Sequence, residues 1–186
     1  MIFPLRRKPA AQDIDDFLAA EIARSRRCTY FKRLAAATLL VALLVWVLFG
    51  VVFAITTVRG SSMNPTLWDG DVVLSWRLGT DFAAGDVVII DNAERRDYIK
   101  RIIGVPGDTI DIDEETGVVF RNGRALDEPY AAGVTLPRDD GLPFPVTLGE
   151  EEYLLLGDNR IFSYDSRDWG LVRKERIRAK VILPSI

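Results

Sequence analysis

The sequence predicts a mostly β protein: one membrane-spanning helix near the N-terminus, followed by a single domain of short antiparallel strands. Three observations carry that prediction. Residues 34–58, LAAATLLVALLVWVLFGVVFAITTV, hold no charge. After Val58 the chain becomes a series of short β-type runs broken by turn signals. No long helical period lies between those runs, which disfavours parallel βαβ architectures.

The elements follow in order. Residues 12–27, QDIDDFLAAEIARSRR, place Ile14, Phe17, Leu18 and Ile22 on one helical face. Its basic end suits either the membrane surface or a partner, and a short solvated helix is the plainer alternative. Cys28, the single cysteine, sits beside the apolar run and excludes an internal disulfide framework. The apolar run of about 25 residues spans roughly 37 Å as a helix, against a bilayer core of roughly 30 Å. Arg24, Arg26, Arg27, Lys32 and Arg33 crowd its N-terminal side, with Arg59 alone close on the other. The positive-inside rule therefore predicts residues 1–33 in the cytoplasm, 34–58 in the membrane and 59–186 outside it. A cleaved signal peptide, which has a shorter apolar core and leader, and a buried core helix are the competing readings.

Strands are expected near 71–76, 86–90, 98–104, 109–113, 118–121, 124–126, 152–156 and 178–183. Asn122-Gly123 predicts a type I′ hairpin, and Val105-Pro106-Gly107-Asp108 a second turn. Residues 127–150, rich in Pro, Gly and Asp, read as an extended loop or small cap. A net charge of −3 argues against a nucleic-acid-binding face. With no histidine and one cysteine, a zinc site of the usual His/Cys type is excluded, and no cofactor is expected.

Chemistry is concentrated in three stretches. RGSSMNPTLWDGD, 59–71, sets Ser61 and Ser62 between Gly60 and a Pro65-Thr66 turn, close to the lipid surface. A hydroxyl held at a sharp turn suits acyl transfer, although such a stretch by itself is also an ordinary loop. Without histidine, a serine nucleophile needs another base, and lysine is the remaining candidate. At its ordinary pKa only roughly one lysine in 2,500 is neutral at pH 7, so the base must be desolvated. Of the five lysines, Lys8 and Lys32 fall on the cytoplasmic side, and Lys174 lies in the charged stretch RKER. Lys180 is possible. Lys100 is the best candidate, because strand alternation puts it on one face with Tyr98 and Ile102. GDNRIFSYDSRDWG, 157–170, has a hydroxyl to orient a lysine and acid–base pairs to hold strands together, or is simply a polar surface loop.

Four motifs in order then resemble those of the type I signal peptidases: S-M-N-P-T-L at 62–67, G-D-V-V at 85–88, Y-I-K-R-I-I-G-V-P-G-D at 98–108 and G-D-N-R-I-F-S-Y-D-S-R at 157–167. The resemblance covers residues 58 to about 183. It implies a barrel-like antiparallel catalytic domain with a small cap around 109–150. It implies Ser62 as nucleophile, with its backbone N–H as an oxyanion donor, and Lys100 as general base. Ser163 would orient the Lys100 amine. Asp158, Asp165, Arg101 and Arg167 would form a supporting charge network. Met63, Leu67, Tyr98 and Ile99 would line pockets for small side chains. The implied substrates are signal peptides of secreted preproteins, cut after small-x-small sites at a bacterial plasma membrane, with lipid and the secretion translocon as neighbours. Gly60 stands where some members carry a serine hydroxyl as second oxyanion donor, and Ala179 where a glycine is common. A specialised maturation peptidase, a self-cleaving Ser-Lys protease and an inactive membrane-anchored binding protein of the same fold are the alternatives.

Overall fold

The computed structural model describes residues 11–79, 81–91 and 97–183. It divides into two units, Met1–Val47 and Leu48–Ile186.

In the first unit a single helix, α1 (Ala11–Val47), runs without a break through both the amphipathic stretch and most of the apolar one. Its side chains from Ile14 onward are exposed, including Leu39, Leu40 and Trp46. Among the described residues it is the one helix long and apolar enough to cross a membrane. A helix that is apolar all round over such a length suits an apolar solvent.

The second unit begins with a π-helical turn, Leu48–Val52, which ends in strand β1 (Phe53–Thr57). The expected helix to Val58 is therefore corrected: its last residues form a strand. Ile55, Thr56 and Thr57 are β-branched and stiff at χ1, which favours a pleated surface. β1 pairs antiparallel with β2 (Val72–Trp76), in a register from Phe53 opposite Trp76 to Thr57 opposite Val72. Hydropathy alone does not distinguish the end of an apolar helix from an apolar strand.

The remaining strands are β3 (Val87–Asp91), β4 (Asp97–Gly104), β5 (Thr109–Ile112), β6 (Val119–Arg121), β7 (Arg124–Ala125), β8 (Val146–Thr147), β9 (Glu152–Leu156), β10 (Val172–Arg173) and β11 (Ile177–Leu183). A one-turn helix, α2 (Ser166–Trp169), precedes β10. One sheet has the order β1-β2-β11-β3-β4-β9-β10 and stays open at its β1 and β10 edges. The other has the order β7-β6-β5-β8 and is built from strands between Thr109 and Thr147. All the strand pairs are antiparallel. At the β6–β7 hairpin Asn122 has φ 53° and Gly123 φ 75°, the left-handed pair that a type I′ turn requires.

The run Leu154-Leu155-Leu156 is fully buried because β9 is covered on both faces. Leu155 packs with Val88, Ile90, Ile102 and Val172 on one side. Leu154 and Leu156 join Ile103, Ile110, Ile112 and Val119 on the other, so the two sheets share a core. Gly104 permits that approach: a Cβ there would lie 2.8 Å from Ile110. A third cluster of Val58, Met63, Leu67, Val73, Ile89, Ile99 and Ala179 underlies the loop between β1 and β2. β4 thus crosses the centre of the unit, with Ile99 in one cluster, Ile102 in another and Ile103 in the third. A lysine in the middle of that strand has little access to water.

Candidate active site

The loop from Val58 to Asp71 is closed at its base, where Val58 N donates to Asp71 O (2.7 Å) and Gly70 N donates to Val58 O (3.0 Å). Gly60 takes φ +85° and donates its N–H to Asp69 Oδ1 at 2.7 Å. Met63 and Leu67 are each 1% exposed and root the loop in the cluster below. Two tight turns follow, with Asn64 N donating to Ser61 O and Leu67 N to Met63 O. Ser62 is left half-buried at the lip, and Ser61 faces solvent.

Lys100 Nζ lies 2.7 Å from Ser62 Oγ, although the two residues are 38 positions apart. Lys100 is 2% exposed and its amine lies 5.9 Å from the Tyr98 ring centre, the neighbour that strand alternation predicts. Burial pushes the Lys100 amine down to about 8, against the pull of the Asp165 and Asp158 carboxylates and with help from the Arg167 cation. At pH 7 about one such amine in ten is neutral, against roughly one in 2,500 for a free lysine. The other candidate base, Lys180, pairs with Asp86 at 2.7 Å.

The 157–167 stretch surrounds this pair with fixed charge. Asp158 takes a two-pronged contact from Arg101, Nε to Oδ1 at 2.8 Å and Nη2 to Oδ2 at 2.6 Å. Arg101 also donates to Gly85 O and covers the Tyr130 ring at 4.0 Å. Asp165 receives Arg167 Nε and Nη2, both at 2.9 Å, together with the Gly157 N–H. Burial pushes the Asp165 carboxyl up, but the hydrogen bonds and charge of Arg167 and the Gly157 amide outweigh it and hold the acid below its ordinary range. Asp165 also caps α2 in a reciprocal capping box with Asp168. The buried Asp158 and Asp165 carboxylates therefore each have a guanidinium partner, as burial demands.

The sequence-predicted residues are mostly brought together, with two differences. Ser163 is buried with its Oγ beside Gly157 and the Ser62 carbonyl, and no hydrogen bond joins it to the Lys100 amine among the described residues. Leu67 does not line the cleft beside Ser62; it packs beneath it. That cleft, of about 610 Å³, is lined by Ile55–Arg59 of β1 and the following residues, by Ser62 and Met63, and by Asp97, Tyr98 and Ile99 of β4. Sequence reasoning missed β1 as its wall, having placed those residues in the membrane.

It also missed Arg160, Glu128 and Asn159. Arg160 is 1% exposed; it holds Glu128 through both terminal nitrogens, and it donates to Thr135 Oγ1 (2.6 Å) and Gly157 O (3.0 Å). Asn159 N donates to Ser62 O at 3.0 Å, and its Nδ2 to Ser61 O at 3.1 Å. Nothing in the spacing of Glu128 and Arg160 announces a pair.

Gly157 is the closest packing point of the site. A Cβ there would fall 2.1 Å from Ser163 Oγ and 2.5 Å from Ser62 O. Gly157→Ala must therefore displace the serine backbone. We expect an activity loss of about a hundredfold from the misplaced hydroxyl and a stability loss of about 1–3 kcal/mol from overpacking, read by peptide turnover and thermal unfolding of the same sample.

A serine hydroxyl against a buried lysine amine of lowered pKa, beside an open cleft, is an arrangement that can support nucleophilic chemistry without histidine. A family model described as signal peptidase, peptidase S26, matches residues 31–186. Over 134 residues the chain is 42% identical to a signal peptidase I of Bacillus licheniformis, covering 64% of this chain and 69% of that one. Over 156 residues it is 36% identical to a signal peptidase I of Bacillus amyloliquefaciens, covering 77% and 81%. Over 143 residues it is 35% identical to a signal peptidase IB of Staphylococcus aureus, covering 67% and 73%. The chain belongs to this family, that of the type I signal peptidases, and by that membership is a peptide-bond hydrolase.

Proposed function

We propose that this protein is a membrane-anchored endopeptidase that removes signal peptides from exported preproteins, with Ser62 as nucleophile and Lys100 as general base. The observation that carries the reading is the 2.7 Å contact between Lys100 Nζ and Ser62 Oγ in a site that lowers the amine pKa to about 8. The α1 helix anchors the chain with its basic N-terminal side in the cytoplasm, so the catalytic unit works at the outer membrane face beside the emerging preprotein.

The substrate lies extended in the cleft, where two strand borders are free. β1 is a sheet edge, and β9 pairs with β4 only from Arg101 onward, so among the described residues the Asp97–Ile99 border has no strand partner on that side. A peptide strand adds there through main-chain hydrogen bonds, while the walls around Met63, Tyr98 and Ile99 admit small side chains on alternate residues. Neutral Lys100 accepts the Ser62 hydroxyl proton as Oγ attacks the scissile carbonyl. The Ser62 N–H has no partner among the described residues and is available to the oxyanion. The Lys100 ammonium then protonates the departing amine, leaving an ester on Ser62. Water, deprotonated by Lys100, cleaves the ester and restores the hydroxyl. Asp158, Asp165, Arg101 and Arg167 act by position and charge, and Ser163 supplies a hydroxyl close to the Ser62 backbone.

The test uses detergent-solubilised full-length protein and a preprotein with an Ala-x-Ala site. Wild type is expected to cut after the second Ala, and Ser62→Ala and Lys100→Ala to lose at least about a thousandfold of that rate. Cleavage that survives Ser62→Ala would overturn the nucleophile assignment.

A further inference from the structure

We propose that Ile161 and Phe162 form a subsite for the residues that follow the scissile bond, so that the enzyme prefers an apolar side chain there. The inference deepens the peptidase reading and rests on it.

The cleft between β1 and β4 takes the peptide before the cut, and the chain after the cut must leave past Ser62. No residue of the 157–163 loop lines that cleft. The same loop nevertheless touches the serine: Asn159 donates from N to Ser62 O and from Nδ2 to Ser61 O. It therefore borders Ser62 from outside the cleft.

Within the loop, Asp158, Arg160 and Ser163 are buried, whereas Ile161 is 57% and Phe162 73% exposed. The backbone that carries them is held tightly. Ala132 N donates to Asp158 O (2.7 Å), Arg160 N to Ala132 O (2.9 Å) and Phe162 N to Asn159 O (3.2 Å). The Arg160 guanidinium is in turn fixed by Glu128, Thr135 and Gly157. Ile161 lies across Gly133, where a Cβ would come within 2.6 Å of it, and exposed Val134 extends the same apolar surface. With its backbone already fixed, such an apolar shelf loses only side-chain freedom on binding and gains when an apolar side chain covers it. It bears no charge with which to select a polar one.

The experiment compares two peptides that share an Ala-x-Ala segment and differ only in carrying Leu-Leu or Ser-Ser immediately after the cut. kcat/KM is measured with full-length wild type, Ile161→Ser, Phe162→Ser and the double variant, and thermal unfolding checks that each is folded. Wild type is expected to favour the leucine peptide about tenfold. The double variant should bring the ratio close to one while its kcat/KM on the serine peptide stays at the wild-type value. A wild-type ratio near one, or a preference unchanged in the double variant, overturns the subsite while leaving the peptidase reading intact. Failure of wild type to cut either peptide overturns both.

Discussion

Lys100→Met is expected to abolish cleavage and, at neutral pH, to make the protein more stable. The activity loss follows from chemistry: no other described amine touches Ser62 Oγ, and methionine accepts no proton. We expect at least about a thousandfold loss in kcat/KM, the scale on which removal of one member of a nucleophile–base pair acts. The stability gain follows from burial. The folded amine sits at about 8 against an ordinary value of 10.5, because desolvation outweighs the nearby carboxylates. Between those pH values the unfolded chain binds more protons than the folded one, so stability rises with pH across this window. Below pH 8 the folded state carries the full penalty, which a shift of this size sets at about 3 kcal/mol. Methionine keeps the aliphatic bulk and removes the charge. The variant should therefore gain about 1–3 kcal/mol at pH 7, and the advantage should shrink toward pH 10.5. Denaturant unfolding of both proteins at pH 7 and pH 10 checks the sign. A variant less stable than wild type at pH 7 would contradict the account.

Arg167→Ala is expected to be the most damaging single change apart from those at Ser62 and Lys100. Arg167 is 1% exposed and gives Asp165 two hydrogen bonds, and it also donates to Arg160 O and Leu136 O. Alanine leaves the buried Asp165 carboxylate without its guanidinium partner and removes one donor from each carbonyl. Breaking a buried pair in this way costs about 3–5 kcal/mol. A second effect distinguishes this from simple loss of packing. The Arg167 cation helps lower the Lys100 amine, so its removal should move the acidic limb of activity to higher pH. Unfolding in denaturant gives the first number and a pH–rate profile on the folded fraction gives the second. A stability change below about 1 kcal/mol would place the pair among weak surface contacts.

How much of this was legible in the sequence differs from element to element. The Asn122-Gly123 hairpin was readable because only left-handed backbone closes a type I′ turn, and those residues tolerate it. Lys100 was readable because the absence of histidine narrows the bases to five lysines, and because YIKRII buries a side chain whichever face it occupies. β1 was not: FAITT extends an uncharged run, and its strand state depends on pairing with Val72–Trp76. Leu67 carries the same apolar signal whether it walls a cleft or roots a loop, and only the closure of the 58–71 loop decides between them. The Arg160–Glu128 pair depends on a fold that joins residues 32 positions apart. Ser163 lies beside Gly157 and the Ser62 carbonyl rather than on the Lys100 amine, because a hydroxyl rotor and its partner are set by distances of tenths of an ångström that no spacing rule carries.

The central claim is that the neutral form of Lys100, populated because burial lowers its pKa to about 8, takes the proton from Ser62. The most direct test is the pH dependence of kcat/KM for an Ala-x-Ala peptide, measured from pH 6 to pH 10. Rate should rise with pH through a single ionisation at about 8 and then level off, because the deprotonated amine is the active form. A rate that is flat across this range, or that falls as the amine loses its proton, would contradict Lys100 as the base.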